Sequence, residues 1–117
     1  MTRNDIISFC RDFYGTEPDY PWESIPDAFV ERHPKNRKWY LLLMSVSPKH
    51  LGLEGEKALD IINLKVDPLM AGSLRMSRGI MPAYHMNKEK WISVLLDGSV
   101  DDEQIKDLIN ISYMLTK

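Results

Sequence analysis

Three sets of side chains in this 117-residue chain have the chemistry to hold or act on another molecule: the histidines, a Tyr-His pair, and two groups of cations. His33, His50 and His85 show no H-x-H, H-E-x-x-H or Cys/His spacing. A metal ion needs several ligands delivered to one point, so no metal site is expected. Gly52 and Gly55 lack the following Lys-Ser/Thr of a phosphate loop, and Ser45, Ser47, Ser93 and Ser99 lack a nucleophile elbow. Tyr84-His85 beside Asn87 is the one group suited to acid–base work, because imidazole titrates near neutrality. No carboxylate stands at a local spacing that would orient it. The plainer role is a hydrogen-bonded tie between one strand and a neighbouring loop. No catalytic residue and no cofactor are expected, which points to a non-enzymatic protein.

The cations are unevenly placed. Residues 32–38 carry Arg32, Lys35, Arg37 and Lys38 with no acid, or +4. Residues 75–90 carry Arg75, Arg78, Lys88 and Lys90 against Glu89, or +3. The total is −2, so the rest of the chain carries −9. Such a chain has no global attraction to nucleic acid or anionic lipid. Locally, two basic turns can straddle a phosphate backbone, with Asn36 and Asn87 as added hydrogen bonders. DNA is therefore the first expected partner. Two other readings stay open. One is a protein- or peptide-binding module, homodimeric or with another protein as partner, using an apolar sheet face. The other is a small-molecule pocket formed by Tyr20, Trp22, Tyr84 and His85.

The elements that must position these residues follow from periodicity and punctuation. Thr2 and Asp5 form a capping-box pair, with Met1 and Ile6 at staple positions. Ile6, Phe9, Cys10 and Phe13 then mark the buried face of a helix ending at Gly15. Pro18, Pro21 and Pro26 exclude helix from most of Thr16–Pro26, where Tyr20, Pro21 and Trp22 make an aromatic knot against the core edge. Asp27–Arg32 and Lys38–Val46 read as a hairpin joined by H-P-K-N-R, with Asn36 suited to a left-handed turn position. Trp39–Met44 is apolar without alternation: either a central strand covered on both faces, or one with a face awaiting a partner. Leu59–Val66 is a third strand, turning Ile62, Leu64 and Val66 one way and Ile61, Asn63 and Lys65 the other. Asp67-Pro68 starts a short helix to about Met76. Ile80–Met86 reads as extended, Asn87-Lys88 as a turn and Lys90–Leu96 as a strand. Ser99 is expected to cap a last helix whose buried stripe is Ile105, Leu108, Ile109, Ser112 and Leu115.

The order is helix, three strands, helix, two strands, helix. It predicts a single domain over 1–117 of two-layer α+β type, with an antiparallel sheet of about five strands and helices on one face. Composition agrees: 44% hydrophobic and 27% charged is ordinary for a globular chain. No apolar run approaches a membrane span, the N-terminus has no secretion-signal pattern, and the lone Cys10 excludes an internal disulfide, so a cytoplasmic protein is expected.

The run P-A-Y-H-M-N-K-E-K-W-I-S-V-L-L-D-G-S closely resembles the MmcQ/YjbR family of small bacterial proteins. L-K-V-D-P-L, D-Y-P-W, F-V-E-R-H-P-K-N-R-K-W-Y and the terminal L-I-N-I-S-Y-M-L extend the likeness over nearly the whole chain. The resemblance implies a two-layer α+β fold similar to the CyaY-like and secretion-chaperone-like arrangements. It also implies DNA binding through a double wing, the wings falling here around Pro34–Lys38 and Asn87–Lys90. It brings no catalytic residue.

Overall fold

The computed structural model describes residues 1–117. Helix α1 (Arg3–Tyr14) begins with the expected reciprocal cap: Asp5 N donates to Thr2 Oγ1, and Thr2 N donates to the Asp5 carboxylate. It ends at Gly15 in the left-handed conformation. The strands are β1 (Phe29–Arg32), β2 (Trp39–Val46), β3 (Leu59–Lys65), β4 (Ile80–Pro82) and β5 (Trp91–Leu95), with α2 (Pro68–Leu74) and α3 (Asp102–Thr116) completing the chain. All strand pairs are antiparallel in the order β1-β2-β3-β5-β4. The fold is α+β. No helix is long and apolar enough to cross a membrane.

The three helices supply side chains to one large core against the sheet. Ile6 and Cys10 of α1, Ala71 of α2 and Ile105 and Ile109 of α3 meet Phe29, Leu41, Leu43, Ile62, Leu64, Ile92 and Val94. Each fully buried large aliphatic or aromatic contributes about 1.5–3 kcal/mol, so this layer dominates stability. The outer face is also covered, by the chain itself. Leu51, from a 3₁₀ turn at Pro48–Leu51, packs with Met81 and Tyr84 on Val46, Ile61 and Leu95. From Tyr40 to Leu43 the unalternating β2 is thus buried on both sides, the first of the two arrangements its composition allowed.

Several boundaries differ from the sequence reading. Phe13 is 71% exposed, because the α1 face that meets the sheet closes at Cys10. Asp101, not Ser99, caps α3, its carboxylate accepting from Glu103 N; Ser99 instead closes a turn on Asp97. The α3 stripe ends at Thr116 rather than Leu115, since Thr116 meets the β1–β2 hairpin. Arg37 rather than Asn36 takes the left-handed turn position. The extended piece stops at Pro82, and residues 83–90 make the connection to β5.

Candidate nucleic-acid interface

The register decides which basic residues meet. Arg32 pairs with Trp39, Lys65 pairs with Trp91, and Pro82 pairs with Ile92. The turns 33–38 and 83–90 therefore leave the same end of the sheet, one on each side of β3. At about 4.8 Å per strand their centres lie roughly 14 Å apart. Helix α2 starts at this end and its connection to β4 reaches the other, where Gly79 O accepts from Leu95 N. Arg78 accordingly lies far from the two turns. Arg75 does too: it caps the C-terminus of α2, with Nε and Nη2 shielded from solvent and without partners.

Each turn is held by its own asparagine. Asn36 Oδ1 accepts from Lys38 N at 2.9 Å, and its Nδ2 donates to Thr116 O at 3.0 Å. His33 sits beneath, buried, its Nε2 2.7 Å from Thr116 Oγ1. Burial pushes its pKa below the usual range. In the second turn Asn87 Oδ1 accepts from the amides of Glu89 and Lys90. Asn36 thus spends its oxygen and one of its two Nδ2 hydrogens on architecture, leaving one for the expected phosphate contact. Asn87 keeps only its Nδ2 for that role.

The second turn is pinned to the sheet by a closed ring of hydrogen bonds. Tyr84 N donates to Ser93 Oγ at 2.9 Å, Ser93 Oγ donates to Asn63 Oδ1, and Asn63 Nδ2 donates to Tyr84 O at 3.0 Å. Asn63 and Ser93 are fully buried, so the ring satisfies polar groups that would otherwise be costly. The expected tie at Tyr84 exists, but it runs through the backbone and not through the hydroxyl or His85. His85 stacks on the Tyr84 ring at 4.0 Å with φ 58°, and His50 lies parallel to the same ring at 6.4 Å. Tyr20 packs on Phe29 and Trp22 on Trp39 at the β1–β2 side of the sheet, whereas Tyr84 lies over Asn63 and Ser93 of β3 and β5. The four-residue pocket is therefore not assembled.

Of the expected cations, Lys35, Arg37, Lys38, Lys88 and Lys90 are exposed and make no ion pair. Arg32 is already engaged: its Nε donates to Asp19 at 2.9 Å, its Nη1 reaches Arg37 O, and its guanidinium covers Trp39 at 5.6 Å. Residue-by-residue reading of charge passed over Lys65, Trp39 and Trp91. The signal was a repeated step: both basic turns run into their strands through Lys-Trp, at Lys38-Trp39 and Lys90-Trp91.

The architecture is that of a two-layer α+β protein with paired basic turns, and comparison with known proteins agrees. The YjbR family model matches residues 11–115, and the chain belongs to this family. It is 46% identical over its whole length, and over 99% of the relative, to the uncharacterised protein YyaQ of Bacillus subtilis. It is 42% identical over 53 residues, 44% of this chain and 45% of the relative, to the uncharacterised YjbR of Escherichia coli K12. A crystal structure of a Pseudomonas syringae protein superposes with TM-score 0.98 at 49% identity, covering all of both chains. A Deinococcus radiodurans structure gives 0.74 at 27% identity, covering 97% of this chain and 77% of that one.

Proposed function

We propose that this protein is a non-enzymatic nucleic-acid-binding protein that contacts phosphates through the two turns at one end of its sheet. The observation that carries this reading is the shared end. Residues 33–38 and 83–90 lie fifty positions apart, yet the strand register brings five exposed, unpaired cations to one edge. Glu17 holds Arg11 and Asp19 holds Arg32, and within the two turns Glu89 alone opposes the five cations. The asparagine hydrogen bonds fix the backbone of both turns, so only the cationic side chains are left to order on binding, which reduces the entropic cost.

Fluorescence anisotropy with labelled DNA at low salt tests the proposal. Binding should be measurable for the natural protein and weakened at least ten-fold in a Lys35→Glu, Arg37→Glu, Lys88→Glu variant. No binding at all, or equal binding by the variant, would overturn it.

A further inference from the structure

We infer that the outer face of this sheet end is a stacking platform, and that the nucleic acid it takes is single-stranded. The inference rests on the proposed nucleic-acid role and adds its substrate class. The observation is where the three tryptophans fall. Trp39 pairs with Arg32, and Trp91 pairs with Lys65. Trp22 stands edge-on to Trp39, with ring centroids 5.6 Å apart.

The faces follow from the pleat. Tyr40 turns to the helix layer, where it meets Tyr14 and Tyr113. A register shift between Glu31 and Arg32 leaves both Tyr40 and Leu41 on that layer. Trp39, paired with Arg32 beyond the shift, turns to the other face with the Arg32 guanidinium over one side of its ring. Lys65 and Trp91 follow Asn63 and Ser93, which point outward beneath Tyr84. Two strand spacings, roughly 10 Å, separate Trp39 from Trp91, with Lys65 on the strand between. Both tryptophans are only partly buried, and Lys65 makes no ion pair. Lys38 and Lys90, next in the chain, are exposed and equally unpaired.

Aromatic faces interleaved with free cations suit an unpaired strand, in which each base has a free ring face and each phosphate a charge. A duplex keeps its base faces stacked inside and offers this surface only its phosphates. An aromatic pair alone would be ordinary edge packing. The repeated Lys-Trp step at matching strand starts, with Lys65 between, makes this surface complementary to a polyanion that also carries rings.

Tryptophan emission reports on the site directly, because every tryptophan of the chain lies in or beside it. Oligo(dT) and a duplex of equal length would be titrated into the natural protein at one low salt concentration, following emission and anisotropy together. Oligo(dT) should quench the emission and bind at least ten-fold more tightly than the duplex. Trp91→Leu, checked for fold by circular dichroism, should lose about ten-fold in oligo(dT) affinity while duplex binding stays level, and Trp91→Phe should recover part of it. Equal or tighter duplex binding with unchanged emission would overturn the platform and leave the basic turns standing. Binding of neither probe would overturn both.

Discussion

Glu31 faces the helix layer from β1 with no exposed surface. One carboxyl oxygen accepts from Thr16 Oγ1 at 2.7 Å, and the other has no partner. Thr16 Oγ1 in turn lies 2.6 Å from the Tyr40 hydroxyl. Around this chain sit Cys10, whose thiol burial pushes up to about 12, Glu17, and Arg11 at greater remove. Burial outweighs the Thr16 hydrogen bond and raises Glu31 from 4.5 to about 7. Between those values the folded protein keeps a proton that the unfolded chain has released. Its contribution is therefore fully present below about pH 4.5 and is lost as pH rises to about 7. The size is on the order of 3 kcal/mol. His33 works the other way, losing stability as pH falls, because its folded pKa is lowered. Glu31→Gln separates the two. Urea unfolding across pH 5–7.5 should show the natural protein losing stability relative to the Gln variant as pH rises. Parallel profiles would mean that Glu31 ionises normally in the fold.

Among the elements, the joint between α2 and β4 is the tightest backbone approach at a glycine. Gly79 has φ 84°, and a methyl group there would collide with Ser99 and Val100. Gly98 has φ 90° with open space around it. Both substitutions to alanine strain the backbone, but only Gly79→Ala adds the collision. We expect Gly98→Ala to cost about 1 kcal/mol and Gly79→Ala roughly 2 kcal/mol or more in urea unfolding. Equal losses would show that Ser99 and Val100 yield freely. Local signals of this kind were largely legible in the sequence. The Thr2–Asp5 cap, the Asp67-Pro68 helix start and the two faces of β3 all form as their spacing implies. What periodicity missed was decided by contacts distant in sequence. Thr116 replaces Leu115 because the 33–38 turn supplies its partner, and Asn36 is fixed by the end of α3. Residues 83–90 bend because Asn63 and Ser93, on other strands, seize Tyr84. A one-dimensional pattern contains none of these pairings.

Over the whole molecule, charge and topology pull in opposite directions. The net charge of −2 and pI near 5.9 oppose a polyanion, whereas the sheet end gathers Lys35, Arg37, Lys38, Lys65, Lys88 and Lys90. The candidate interface was only half legible because cations can be counted in a sequence but the pairing across β3 cannot. Screening decides which term a ligand feels. At about 0.15 M salt the Debye length is ~8 Å, so a bound strand senses mainly the turns it touches; at 0.01 M it is ~30 Å, and the acidic body is felt as well. Lowering the salt should therefore strengthen binding less than six isolated lysines and arginines would. Counterion release sets an upper limit: six contacts to a single strand give a log–log slope of magnitude about 4, at roughly 0.7 per phosphate. We expect a measured slope of about −3 to −4 between 0.05 and 0.2 M, flattening below that range. The Lys35→Glu, Arg37→Glu, Lys88→Glu variant removes three of the six contacts and should halve the slope. A slope near zero in the natural protein, or one the variant leaves unchanged, would mean that phosphates are not what this end of the sheet binds.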